Sequence, residues 1–126
     1  MPDQGNELYL TFDDGPVPGP TEFVLETLKK YEAKATFFCI GENISKHGSV
    51  FKKIVADGHA VGNHTFNHLN GWKTSTDDYY KNVTRCEAEI GEQLPYTEST
   101  SYYRLFRPPY GRIRRQQIKA LSSFKI

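Results

Sequence analysis

The sequence predicts an α/β fold on parallel strands, and three observations carry that expectation. Short β-forming runs alternate with stretches of helical periodicity, the connections between them are short, and the polar clusters fall where strands run out. The first run, Glu7 to Phe12, is apolar and β-rich and meets Asp13-Asp14-Gly15-Pro16, which must turn. After Pro18-Gly19-Pro20, Thr21 is expected to cap a helix whose apolar positions Val24, Leu25, Leu28 and Tyr31 share a face, ending near Glu32. Ala35 to Ile40 is a compact apolar run closed by Gly41 and reads as a buried parallel strand.

Ser49 is expected to cap a second helix carrying Val50, Phe51, Ile54 and Val55, with Gly58 ending it before a short strand from His59 to Gly62. Ser75-Thr76-Asp77-Asp78 resembles a capping box, and Tyr79, Val83, Cys86 and Ile90 recur on one face of a third helix that ends by Pro95. Tyr102 to Phe106 reads as another strand, stopped by Arg107-Pro108-Pro109, and Arg114 to Ser122 as a fourth helix. Ser123 to Ile126 has the composition to begin one more strand. Such alternation leaves two architectures open, a doubly wound sheet and a β/α barrel.

A chain of 126 residues supports one hydrophobic core, and no linker or repeat divides it, so residues 1–126 are read as one domain. Hydrophobic residues at 37% and charged residues at 25% describe a chain that folds. A net charge of +1 gives no electrostatic basis for binding nucleic acid or an anionic membrane. No apolar run is long enough to span a bilayer, and the first residues lack the regions of a signal peptide. Cys39 and Cys86 lie in apolar-periodic stretches without metal-site spacing and are expected to be buried free thiols.

Chemistry concentrates in three clusters, each at the C-terminal end of a predicted strand, the edge where α/β proteins build active sites. They are Thr11-Phe12-Asp13-Asp14-Gly15-Pro16, His64-Thr65-Phe66-Asn67-His68 and Arg107-Pro108-Pro109-Tyr110-Gly111. A spacing of four is expected to put His64 and His68 on one side of a helical turn, close enough to grip one divalent cation. Asp14 adds a hard oxygen ligand, and such a set leaves positions open for water and substrate. Adjacent carboxylates in an extended segment point apart, so one binds while the other serves as base.

Taken in order, these clusters resemble the signatures of NodB-like polysaccharide deacetylases, carbohydrate esterase family four. The middle one extends back through Gly58-His59-Ala60-Val61-Gly62-Asn63, and Lys34-Ala35-Thr36-Phe37-Phe38 resembles the family's second strand. The resemblance implies a parallel β/α barrel and a metal-dependent hydrolase that removes N-acetyl, or less often O-acetyl, groups from peptidoglycan, chitin or xylan. It implies Asp14, His64 and His68 as metal ligands, with zinc first and cobalt, nickel or iron also suited to the set. Asp13 is then the catalytic base, Arg107 its orienting partner, and the backbone N–H of Tyr110 the donor to the oxyanion. It further implies a secreted, periplasmic or cell-envelope location and an acetylated polysaccharide as partner, and leaves the oligomeric state unspecified.

Two later motifs of the family, an acidic residue near a tryptophan and a Leu-x-His whose histidine protonates the leaving group, do not occur. A full β/α barrel takes roughly 250 residues. The expectation is therefore an N-terminal portion of the domain, truncated at its C-terminus, that binds metal and deacetylates weakly or not at all. A catalytically impaired metal- and carbohydrate-binding fragment is the alternative. A HExxH-type protease is disfavoured because Thr65 stands where that motif needs its glutamate. His47 and His59 have no motif partners and are read as structural. Trp72, just past His68, is the best aromatic candidate for touching substrate, and Arg112-Ile113-Arg114-Arg115 reads as a solvated helix start.

Overall fold

In the computed structural model, which describes residues 9–94 and 105–123, three parallel strands lie side by side in chain order. They are β1 (Leu10–Asp13), β2 (Ala35–Cys39) and β3 (Ala60–Asn63), and Phe106 continues the sheet through a parallel bridge to Asn63. Among the described residues five helices connect or follow them: α1 (Pro20–Lys30), α2 (Gly41–Lys46), α3 (Gly48–Ala56), α4 (Thr76–Gln93) and α5 (Arg115–Ser123). A doubly wound sheet reverses its strand order at a switch point, whereas a barrel adds each strand beside the last. Four neighbours without reversal are the winding of a β/α barrel.

The register explains which face is core. Phe12, Phe37 and Val61 line up across the sheet, and the Phe12 and Phe37 rings stack at 5.2 Å. Their side packs against Leu25 and Leu28 of α1, Phe51 and Ile54 of α3, and Cys86 and Ile90 of α4 in one cluster. A smaller cluster joins Tyr79 and Val83 of α4 to Leu121 of α5, with Phe106 beside them. Strand alternation puts Thr11, Asp13, Phe38 and Gly62 on the opposite face. Gly62 is obligatory there, because a Cβ would sit 2.7 Å from the Phe38 ring and 3.1 Å from Leu105 Cβ.

Several boundaries differ from the sequence reading. Gly19, at φ 94°, precedes α1 in place of the expected Thr21 cap, and Thr21 is instead buried with its Oγ1 accepting the Val17 N–H at 2.8 Å. Helix α2 was not expected, since six residues with one buried apolar side chain, Ile44, show no periodicity. α3 follows His47 rather than Ser49. Ser75 does cap α4, its hydroxyl accepting the Asp78 N–H at 3.1 Å, and Tyr79, Val83, Cys86 and Ile90 are all buried as the spacing requires. Helix α5 runs one residue later than expected. Glu7 and Leu8, Tyr102 to Arg104, and the strand proposed for the chain end beyond Ser123 lie outside the described residues.

Candidate metal centre

The two carboxylates separate because the chain leaves the strand between them. Asp13 is the last residue of β1, while Asp14 adopts φ 76° and donates its N–H to the Phe38 carbonyl at 3.1 Å. Asn43 of α2 donates to the Asp14 carbonyl at 2.8 Å and holds that turn from outside. The Asp14 carboxylate consequently meets two imidazoles, its Oδ1 lying 3.2 Å from His64 Nε2 and 3.2 Å from His68 Nε2.

The histidines do not share a helical turn, which corrects the expectation drawn from their spacing. Residues 64 to 70 form no helix, and Thr65 and His68 have φ of 64° and 59°. Side chains template the loop instead. Asn63 Oδ1 accepts the Thr65 N–H at 2.8 Å, Asn82 Oδ1 accepts those of Phe66 and Asn67 at 2.8 and 2.9 Å, and Thr65 Oγ1 accepts that of Leu69 at 3.0 Å. These bonds offset the cost of left-handed backbone at non-glycine residues. Asn63 is itself fully buried and anchored, donating to the Val83 carbonyl at 2.9 Å and to Glu87 at 3.0 Å.

His64 is buried, and its Nδ1 lies 2.6 Å from the Arg107 carbonyl. A carbonyl only accepts, so the proton sits on Nδ1 and the Nε2 lone pair faces Asp14 and His68. Burial lowers the His64 pKa, against the opposing pull of the Arg107 carbonyl, Asp13 and Asp14, and favours the neutral, ligating form. His68 is half-buried, its ring 5.1 Å from that of His64 and 4.8 Å from the Tyr110 ring.

Arg107 couples the two halves of the site. Its backbone fixes His64, while its guanidinium donates to Asp13 Oδ1 at 3.0 Å and Thr11 Oγ1 at 3.1 Å and lies over the Phe38 ring at 4.3 Å. The backbone N–H of Arg107 donates to the Asn63 carbonyl at 3.0 Å. Tyr110, at φ 62°, sits exposed in a short turn, Pro109–Gly111. Asp13, Asp14, His64, His68, Arg107, Pro108, Tyr110 and Gly111 line one open cleft.

The three nearest donors fit a single divalent ion. Asp14, His64 and His68 each offer one ligand atom, all within 4.8 Å of one another. Ligand atoms about 2.0–2.2 Å from a tetrahedral ion stand roughly 3.3–3.6 Å apart, close to the 3.2 Å from Asp14 Oδ1 to each imidazole nitrogen. Two imidazoles and one carboxylate suit zinc and its first-row neighbours better than calcium or magnesium.

His59 lies at the opposite end of β3, its Nδ1 accepting the Ala35 N–H at 3.2 Å, and His47 precedes α3. Cys39 and Cys86 are free and fully buried, with the Cys86 thiol pushed up to about 12 by burial. Sequence reasoning quoted Thr11 and Asn63 without giving them a role and did not single out Asn43 or Asn82. Asn63 stands next to a ligand and was open to suspicion, but nothing in the sequence tied Asn82 to a loop that precedes it by some fifteen residues.

A β/α-barrel winding that gathers two histidines and one carboxylate at the C-terminal edge of its strands defines a class of α/β barrels with a candidate metal site at that edge. The family model described as polysaccharide deacetylase matches residues 1–126, and the chain belongs to that family. It is 39% identical over 113 residues to a peptidoglycan-N-acetylglucosamine deacetylase of Bacillus cereus, covering 90% of this chain and 39% of that protein. The solved structure of a peptidoglycan N-acetylglucosamine deacetylase aligns with TM-score 0.82 and 36% identity over 91% of this chain and 52% of its own. A family 4 acetyl xylan esterase from Clostridium thermocellum, solved with a cobalt ion, aligns with TM-score 0.77 and 30% identity over 90% of this chain and 54% of its own. The chain thus spans about half the length of these solved relatives and less of the Bacillus cereus protein, and the structural likeness confirms a β/α barrel of the deacetylase type.

Proposed function

We propose that this chain carries the metal-binding and proton-accepting part of a polysaccharide deacetylase, acting on N-acetyl, or less often O-acetyl, groups of an envelope polymer such as peptidoglycan, chitin or xylan. The observation that carries the reading is the meeting of Asp14, His64 and His68 beside an Asp13 held separately by Arg107. Zinc is the ion best suited to the donor set. When bound, a divalent ion of this kind polarises an acetamide carbonyl and acidifies water.

The chain's own residues supply the rest. Asp13 accepts a proton from the attacking water, and Arg107 keeps its carboxylate aimed at the cleft. The hydrogen bonds of the Tyr110 turn run from the N–H groups of Gly111 and Arg112 to the carbonyls of Pro108 and Pro109. The Tyr110 N–H is left to donate to the oxygen of the attacked carbonyl as charge builds there. Water adds to the carbonyl carbon, the carbon–nitrogen bond breaks as a proton from solvent is taken up by the nitrogen, acetate and a free amine are released, and Asp13 returns its proton to solvent.

Proton delivery to the leaving amine is the step these residues do not furnish. Of four histidines, two are the ligands, His59 lies at the far end of the sheet and His47 precedes α3. The second reading follows: the 126 residues bind metal and glycan but turn over weakly. Zinc titration by calorimetry with acetate-release measurements on N-acetylated oligosaccharides tests both. One tight zinc per chain lost in His64→Ala supports the first, and its absence overturns it. Robust turnover by this chain alone overturns the second. An envelope polymer as substrate supports a secreted, periplasmic or cell-envelope location, and no helix of the described residues is long and apolar enough to cross a membrane.

A further inference from the structure

The turn that follows the metal loop is over-anchored for a connection, and it presents a bare indole. Gly71–Lys73 forms a short turn in which Asn70 Oδ1 accepts the Trp72 N–H at 2.9 Å and the Gly71 N–H donates to the Arg112 carbonyl at 3.1 Å. Gln117, buried in α5, donates to the carbonyls of Gly71 at 2.9 Å and Thr74 at 3.0 Å, and Arg114 donates to the same two carbonyls. Gly71 admits no side chain, since a Cβ would lie 2.5 Å from the Arg112 carbonyl oxygen. From this fixed backbone Trp72 projects with 61% of its surface exposed.

Core packing does not explain an exposed indole on a rigid mount. The guanidinium of Arg112 stands over the Trp72 ring at 4.8 Å. Arg112, Arg114 and Arg115 are exposed at the start of α5, as expected of a solvated helix start, yet Arg112 and Arg114 differ in use. Arg114 is bound to backbone carbonyls, whereas among the described residues no carboxylate pairs with Arg112. Position completes the case. Trp72 follows His68 by four residues, Arg112 follows Tyr110 by two, and the bond from Gly71 to Arg112 ties both segments together next to the cleft.

We propose that Trp72 and Arg112 form a second sugar subsite beside the metal cleft, which takes a carboxylate-bearing residue of an acidic amino-sugar polymer. The inference rests on the deacetylase reading and narrows its substrate. An indole face stacks on the C–H face of a pyranose, and a guanidinium donates to a carboxylate that a muramic-type sugar carries on its lactyl ether and that chitin and xylan backbones lack. Neutral glycans would use the indole alone.

Trp72 is the only tryptophan of the chain, so its emission reports the subsite directly. Zinc-loaded protein is titrated with a tetrasaccharide of alternating N-acetylglucosamine and N-acetylmuramic acid, and in parallel with chitotetraose. The expected result is a saturable emission change for both, with the acidic ligand about 5-fold tighter, the upper range for an exposed ion pair. Arg112→Gln removes that preference and leaves chitotetraose unchanged. By calorimetry, Trp72→Ala weakens both ligands about 10-fold, as the loss of an aromatic platform does. Both side chains are exposed, and the backbone bonds of the turn survive either change. An emission that ignores both ligands, equal affinity for the two, or an acidic preference that survives Arg112→Gln overturns the inference. Zinc stoichiometry is read in the same samples, so a chain that binds zinc but shows one of those outcomes loses the subsite alone, whereas one without zinc loses the deacetylase reading.

Discussion

His59 leads into β3 and His64 leads out of it, and both are buried, with 8% and 3% of their surface exposed. Burial lowers the pKa of each. In each, Nδ1 is hydrogen-bonded to the backbone of a neighbouring segment, yet the polarity is opposite. Ala35 donates an N–H to His59, which puts the His59 proton on Nε2, whereas the Arg107 carbonyl takes the proton of His64 and leaves Nε2 bare. What suits His64 and not His59 to the proposed ligand role is the backbone group behind it and the carboxylate in front of it, not burial or strand position.

The largest expected effect breaks this contrast at the ligand. His64→Ala removes one of three donors and lowers zinc affinity by more than the about 10–100-fold that losing an outer-shell partner costs. His59→Gln leaves zinc affinity within about 3-fold, because nothing it touches reaches the centre, and lowers stability by about 1 kcal/mol for one hydrogen bond and some packing. Competition with a chromophoric chelator and urea denaturation of both variants measure the two effects. Comparable zinc losses would mean that the ends of β3 are not distinct.

Asn82 comes next, because it sharpens what holds His68. With Asn82→Ala the N–H groups of Phe66 and Asn67 lose their acceptor, and the loop loses the support that keeps His68 at φ 59°. Zinc affinity should fall about 10-fold or more, as for other outer supports of metal sites. Stability should fall by about 1–3 kcal/mol, from unpaired donors near the buried Phe66. Asn82→Asp keeps an oxygen facing those donors and should recover most of the affinity. If Asn82→Ala binds zinc like the parent, the loop is templated by other contacts.

This loop also marks the limit of what the residues alone reveal. Strands and amphipathic helices were legible because burial imposes a period, as at Tyr79, Val83, Cys86 and Ile90. The meeting of Asp14, His64 and His68 was legible because few residue types bind a divalent ion and three of them stand just past strand ends. Local backbone was not, since spacings of four at 64 and 68 and at 79 and 83 look alike, yet the second is helical and the first is held by Asn63 and Asn82. Side chains that bond across the fold leave no period. Helix α2 escaped for a related reason, because a helix of six residues is positioned by its neighbours and not by an apolar stripe of its own.

Arg107 allows backbone and side-chain roles to be separated within one residue. Arg107→Gln keeps the carbonyl that fixes the His64 tautomer, so zinc affinity should change by less than about 3-fold, unlike in His64→Ala. The contact with Asp13 is lost, and whatever acetate release the parent shows should fall by about 100-fold, the cost of a displaced reacting group. Stability should drop by no more than about 1 kcal/mol, because the pair is partly exposed. A large zinc loss would show that the guanidinium, not the carbonyl, supports the centre.

The smallest effect returns to His59 and reads its proton directly. Its pKa is lowered by burial first and by the charge of Lys34 second, against a weaker pull from Asp57. Because the folded value lies below the unfolded one, near 6.5, the unfolded chain binds more protons between the two. The contribution of His59 to stability is therefore complete above about pH 6.5 and is lost as pH falls from there through the folded pKa. Protonation of Nδ1 would also turn the acceptor for the Ala35 N–H into a second donor. Urea midpoints of zinc-free protein, followed from roughly pH 8 down to roughly pH 5, should decline on acidification. His59→Gln should flatten part of that decline while leaving the share of His64 in place. A decline of equal steepness in parent and variant would place the whole effect at the metal end of β3, and His59 would then be a packing residue whose protonation state carries no energetic weight.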